Sequence, residues 1–242
     1  MNRRHEHEFA HNRRILSSAG QVWGRTGSSG RLRVERRAAM MIERADIKKE
    51  RRVLEIGCGT GELTKILASS GADITATDLD ENFLRLARER VGSSNVRFEV
   101  AAGETLEHFS AEVFDVVCGL SILHHLDVGL ALQNIYRVLI PGGWAVFSEP
   151  NMANPQILLQ KNIPWLKKLA GDSPDETAFF RGQIARHLTA AGFREIKVAP
   201  FDFLHPSIPD FAVGFFDRFG RLLEKIPMVR EIAGSLFILG RK

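Results

Sequence analysis

Val53-Leu54-Glu55-Ile56-Gly57-Cys58-Gly59-Thr60-Gly61 is the stretch from which the rest of the chain becomes readable. An apolar run cut off by glycines has the character of a strand buried on both faces of a parallel sheet. The glycines at alternate positions let the chain turn sharply and bring a ligand against main-chain atoms without interference from a Cβ. A helix should follow, because Leu63, Ile66 and Leu67 fall at helical spacing after Gly61.

Outward from there the same unit recurs. Residues 72–77 (ADITAT) read as a second strand, and Asp80 opens a helix with Phe83, Leu84, Ala87 and Val91 on one side. Residues 95–100, 114–118 (FDVVC) and 144–148 (WAVFS) supply three more strands. Asp127 is placed to cap a helix that carries Leu132, Ile135, Tyr136 and Leu139 and stops at Pro141-Gly142-Gly143. Strands alternating with helices at short intervals mean right-handed crossovers and a mostly parallel sheet covered on both faces.

Beyond residue 150 the rhythm breaks. Pro150, Pro155 and Pro164 interrupt an apolar segment and predict short broken helices. Ser173-Pro174-Asp175-Glu176 has the N-cap, Pro and Glu of a helix start, so a helix is expected from there to about Ala191. Strands at about 195–203 and 235–239 enclose a helix on which Phe211, Phe215, Phe219, Leu222 and Ile226 form one stripe. Two closing strands of this kind suit an antiparallel edge.

Composition bounds the function. The 242 residues are 44% hydrophobic and 26% charged, which suits a soluble globular domain and excludes a disordered chain. No apolar run is long enough to span a membrane, and the charged start argues against a secretory signal. Cys58 and Cys118 build neither a disulfide framework nor a paired zinc motif, which fits a reducing cytoplasm. Residues 1–52 hold 14 Lys and Arg against 6 Asp and Glu; the remainder holds 19 against 23. This basic arm is read as solvated rather than nucleic-acid-binding, since Phe9 and Trp23 are its only interleaved aromatics. Two units follow, a basic helical arm or cap over 1–48 and a domain over 49–242 with insertions at about 150–173 and 204–230.

Ligands of open α/β sheets sit beyond the carboxyl ends of the strands, so the loop after Ile56 is the place to look. A dinucleotide fingerprint would put its third glycine where Glu62 stands. A carboxylate there would repel a pyrophosphate at the helix N-terminus. The loop has acids, Glu55 before it and Asp78 ending the second strand, and no Lys or Arg. A ligand with an amine, a sulfonium and a ribose, but no phosphate, suits it better.

Five ordered segments carry a resemblance: 53–64 (VLEIGCGTGELT), 75–80 (TATDLD), 114–117 (FDVV), 121–126 (SILHHL) and 137–143 (RVLIPGG). Over about residues 51–150 the chain resembles the class I S-adenosylmethionine-dependent methyltransferases, most closely those acting on quinones, lipids and other small molecules. The resemblance implies a Rossmann-like doubly wound, seven-stranded sheet, S-adenosylmethionine as methyl donor and S-adenosylhomocysteine as product. It places Glu55 and the main chain of Gly57 and Gly59 at the methionine part, Cys58 and Gly61 among the cofactor-binding residues, and Asp78 on both ribose hydroxyls. Leu79 would lie on the adenine face, with Ala102, Gly103 and Glu104 at the adenine edge. The family commonly has Asp where this chain has Ala102. Gly119 and Leu120 would flank the transferable methyl, with Trp23 and Arg31 or Arg36 closing over the cofactor.

An activated donor needs alignment more than a nucleophile, although an oxygen or carbon acceptor also profits from a general base. His124, His125 and Glu149 are the candidates, each also suited to tethering a loop. Related quinone enzymes hold acids at the positions of Ser121 and His124, so no metal is expected here. The loop after the fourth strand lacks the motif of enzymes methylating nucleic-acid amines. The abundant Phe of the insertions predicts a cap enclosing an apolar small-molecule acceptor, or a homodimer contact. A nicotinamide-dependent oxidoreductase and a noncatalytic cofactor-binding scaffold are the rival readings.

Overall fold

Seven strands in the order β3-β2-β1-β4-β5-β7-β6 form one sheet in a computed structural model that describes residues 27–172 and 176–242. Helix α1 (Gly27–Arg44) leads into β1 (Arg52–Ile56), α2 (Glu62–Ala68), β2 (Asp73–Asp78), α3 (Glu81–Val91) and β3 (Val96–Val100). Then come β4 (Phe114–Leu120), α4 (Val128–Val138), β5 (Leu139–Pro150), and the short helices α5 (Pro155–Asn162) and α6 (Pro164–Leu169). The chain continues with α7 (Arg181–Ala190), β6 (Arg194–Phe201), α8 (Val213–Leu223), α9 (Pro227–Arg230) and β7 (Ser235–Arg241).

Strands β3, β2, β1, β4 and β5 pair in parallel, whereas β7 runs antiparallel to both β5 and β6. The reversed strand therefore lies one place in from the edge, with β6 outside it. Reversal of strand order beside β1 puts the crevice above the ends of β1 and β4.

Side-chain alternation divides the core. Val53, Ile74, Val116, Cys118 and Val146 face α1, α2 and α3, meeting Ala38, Met41, Leu63, Leu67 and Leu84. Leu54, Ile56, Val117, Ala145 and Phe147 face the other way, onto Leu132 and Ile135 of α4 and Ile184 and Leu188 of α7. Each fully buried aliphatic contributes roughly 1.5–3 kcal/mol, so these two layers rather than any surface ion pair hold the scaffold.

Local chemistry sets the helix ends. Asp80 accepts a hydrogen bond from Asn82 N at 2.9 Å, and Asp127 one from Leu130 N at 3.1 Å. Pro155 and Pro164 occupy first-turn positions, where a missing N–H costs nothing. Helix α4 stops three residues before Pro141, because β5 takes the chain from Leu139 to pair with β4.

Two expectations fail. Helix α7 begins at Arg181, not at Ser173: Phe179 makes a β-bridge with Asn151, and Glu176 is drawn to Lys161. Tertiary pairing has overridden a good capping sequence. The Phe stripe of α8 does not face a cavity either. Phe211 is 92% exposed and Phe215 68%, while the helix buries Val213 and packs Gly220 where a Cβ would stand 3.1 Å from Phe203 Cβ.

Candidate active site

The strand ends open into a cavity of about 340 Å³, within the roughly 300–1,000 Å³ usual for small-molecule sites. Gly57 (φ 65°) and Gly59 (φ 54°) line it in left-handed conformations that favour glycine. At Gly57 a Cβ would also meet Ile122 at 2.5 Å. The turn is held from the next strand. Asp78 Oδ2 accepts from Gly59 N at 2.9 Å, Asp78 Oδ1 accepts from Asp80 N at 3.0 Å, and Cys58 N donates to Thr77 O at 2.9 Å. Burial pushes the Asp78 carboxyl up while these backbone donors pull it down, and the half-buried side chain stands at the cavity wall.

Leu79, Ala102, Gly103 and Glu104 line the same end, and Glu104 accepts from Asp127 N at 3.3 Å. Leu120 borders the middle. Next to it Ser121 has φ 55°, a strained value for a non-glycine residue, fixed by its N–H donating to Ser148 O at 2.8 Å.

Other predicted residues lie elsewhere. Glu55, Cys58, Gly61 and Gly119 are not among the residues that line the cavity. At Gly119 a Cβ would approach Ile56 O at 3.0 Å, and at Gly61 it would touch Ala87; both glycines serve close packing. Arg36 is turned away, bonded to Glu224 through two nitrogens at 2.8 and 2.5 Å. Arg33 and Arg37, one turn earlier and one residue later, line the cavity instead. Trp23 falls outside the described residues, whereas Arg31 lies on α1 with Nη2 3.4 Å from Ser28 Oγ.

Glu149 is a tether. Its Oε1 accepts from Ile122 N and Leu123 N, both at 2.9 Å, and its Oε2 lies 2.6 Å from His124 Nδ1. With its carboxylate committed to the 121–125 turn and off the cavity wall, it is not available to a substrate. The other ring nitrogen of His124 lies 3.6 Å from Glu176. Burial would lower the His124 pKa, but Glu149 and Glu176 overcome it and raise the value to about 9. His124 is thus an imidazolium at neutral pH, unsuited to accept a proton. His125 lines the cavity, its ring 4.1 Å from that of His124.

Glu176 is the group that sequence reasoning assigned to a helix cap. Burial pushes its carboxyl up, yet His124, His125 and Lys161 together hold it far below the usual carboxylate range. Lys161 Nζ bonds Glu176 at 2.6 Å and Asp172 at 2.8 Å. Donor atoms of His124, His125 and Glu176 lie within 4.8 Å of one another, a set geometrically able to hold a divalent cation. With its pKa raised to about 9, the His124 imidazolium supplies the positive charge between the carboxylates at neutral pH.

At the N-terminus of α2, Glu62 already occupies the anion position, receiving Thr60 Oγ1 at 2.7 Å and pairing with Arg90. A diphosphate would find a carboxylate there.

Residues 54–147 match the methyltransferase domain family. A ubiquinone biosynthesis O-methyltransferase of Bordetella avium is 38% identical over 112 residues, 45% of this chain and 46% of that protein. The one from Thiobacillus denitrificans is 30% identical over 148 residues, 59% of this chain and 64% of its own length. The matched stretch therefore spans about half to two thirds of these relatives. Among solved structures, S-adenosylmethionine-dependent methyltransferases of Thermotoga maritima (TM-score 0.66, 19% identity, 97% and 99% of the two chains) and Mesorhizobium loti (0.62, 21%, 86% and 100%) share the fold. By its strand order and these matches, the chain shares the fold of the S-adenosylmethionine-dependent methyltransferases, and over residues 54–147 it is similar to their methyltransferase domain family.

Proposed function

We propose that the protein transfers a methyl group from S-adenosylmethionine to an oxygen or carbon of a small-molecule acceptor. The observation that carries this reading is the half-buried Asp78 carboxylate on the cavity wall, braced by Gly59 N and Asp80 N, beside a glycine turn whose helix N-terminus is filled by Glu62. Such a site takes ribose hydroxyls and repels phosphate, which disfavours the nicotinamide reading.

S-adenosylmethionine bound there would supply an already activated methyl group. Asp78 would accept from the ribose, the main chain at Gly57 and Gly59 would border the methionine arm, and Leu120 would border the reacting end. His125 is the base we assign, since the ring lines the cavity while the neighbouring His124 already carries a proton. Glu176 and Glu149 hold that neighbour in place from its two sides.

The apolar acceptor expected from the Phe-rich insertions loses its support, because those rings point outward. Their place we assign to a second copy of the chain. Phe211, Phe215, Phe219, Leu222 and Met228 expose roughly half to nine-tenths of their surface. Monomers rarely leave patches beyond roughly 300–600 Å² bare. No helix among the described residues is long and apolar enough to cross a membrane, and we place the protein in the cytoplasm, where its two buried thiols stay reduced.

Titration calorimetry tests the reading. S-adenosylhomocysteine should bind and NADH should not, and Asp78→Ala should weaken the former at least tenfold. NADH binding without S-adenosylhomocysteine binding would reverse the assignment.

A further inference from the structure

Helices α5 and α6 cover the cavity without belonging to either core layer. Neither helix buries a side chain, whereas α4 buries Ala131, Leu132, Ile135 and Val138. In α6, Trp165 is 66% exposed and Leu169 78%. Yet Ile157, Gln160 and Lys161 of α5 line the cavity, as do Ala170, Gly171 and Asp172 directly after α6. The two helices have eight and six residues. Isolated helices shorter than roughly 12–15 residues are marginal in water, so this pair depends on its ties to the rest of the protein.

Those ties include polar contacts at two places. Before α5, Asn151 Nδ2 donates to Glu231 O and Ala233 O at 2.9 and 2.8 Å, and Asn154 Nδ2 donates to Ile232 O at 2.8 Å. Asn154 also caps α5, its Oδ1 accepting from Gln156 N at 3.1 Å and Ile157 N at 3.2 Å. This makes residues 151–154 a stem fixed to the backbone of 231–233. At the other end of α5, about 10 Å along the helix from Asn154, Lys161 Nζ bonds Glu176 at 2.6 Å. The two side chains are 5% and 14% exposed, so solvent screens their pair weakly. Asp172 accepts from Gln160 Nε2 at 3.0 Å and from Lys161 Nζ at 2.8 Å, which ties the end of α6 back onto α5. The two helices thus form one unit with a stem at one end and an ion pair at the other.

We propose that α5 and α6 are a lid that swings as one unit on the 151–154 stem, with the Lys161–Glu176 ion pair as its latch. An element with few buried apolar contacts opens at low cost, and an ion pair between side chains shielded from solvent closes it again. Opening gives a small molecule its way into the cavity, and closing keeps water from what has bound. The inference goes beyond the methyltransferase reading, since it concerns access to the cavity and not the identity of what enters.

Hydrogen–deuterium exchange of the full chain, read peptide by peptide, tests this. In the free wild-type protein the amides of 157–171 should exchange at least tenfold faster than those of α4. Lys161→Met removes the charge and keeps the side-chain stem; it should speed the same amides at least a further threefold and leave α4 within twofold. Lys161→Arg should return them to within twofold of wild type. Saturating S-adenosylhomocysteine should slow them at least threefold. Exchange of 157–171 in step with α4 would overturn the lid, a comparison that needs no variant to fold. An unaltered rate in Lys161→Met would overturn the latch, and a segment indifferent to bound S-adenosylhomocysteine would not gate the cavity. Failure of the wild type to bind S-adenosylhomocysteine would instead remove the methyltransferase reading, while the comparisons made without ligand still decide for or against the lid.

Discussion

His124 is a charge enclosed by two carboxylates, and that fixes how the protein answers to pH. Its folded pKa of about 9 lies above the ordinary 6.5. The stability it contributes is full below about pH 6.5 and is lost as pH rises through 9. Each pKa unit corresponds to about 1.4 kcal/mol, so the unfolding free energy should fall by on the order of 2–3 kcal/mol across that window. Urea titrations at several pH values should show this slope in the wild type and most of it gone in His124→Gln. An unchanged slope in the variant would place the titration elsewhere. Glu176 acts oppositely: its depressed carboxyl stabilises above the ordinary carboxylate range, and that part is lost as pH falls through it. Single residues also mark where sequence reading ran out. The sequence reading offered Arg31 or Arg36 as the arginine closing over the cofactor, whereas Glu224 claims Arg36 and leaves Arg33 and Arg37 at the wall. Nothing in the sequence announces Glu224 as the partner, because it lies 188 residues away.

At the scale of elements, the glycine turn and its two flanking strands were fully legible. Gly57→Ala should cost about 1–2 kcal/mol from backbone handedness alone. Displacement of Ile122 adds to that, with a matching loss of S-adenosylhomocysteine affinity; thermal unfolding with and without the ligand would measure both. A stable variant with undiminished affinity would mean that the turn tolerates a side chain. The insertions were less legible. Proline spacing gave α5 and α6 correctly, because a proline constrains its own backbone wherever it stands. The capping signature at 173–176 falls mostly outside the described residues, and from Glu176, engaged by Lys161 and His124, to Phe180 the chain is not helical.

Over the whole molecule, periodicity showed that α8 is amphipathic but not what its apolar face would meet. Core packing, an enclosed ligand and a partner all leave the same 3.6-residue pattern. If a second copy covers that face, sedimentation should show a concentration-dependent dimer, and Phe215→Asp with Phe219→Asp should yield a monomer of unchanged thermal stability. A wild-type protein that stays monomeric at high concentration would rule this assembly out. The mostly parallel pairing of the sheet followed from the alternation of strands and helices, since crossovers of fixed hand leave few ways to arrange them.

The place of β7 has a consequence for synthesis. Among the described residues strand β6 pairs with no strand except β7, which is translated some forty residues later. Until residues 235–241 clear the ribosome, the nascent polypeptide holds a finished β-segment with both edges bare. Arg194, Glu195 and Lys197, charged and largely outward, then act as gatekeepers against wrong pairing with neighbouring nascent chains.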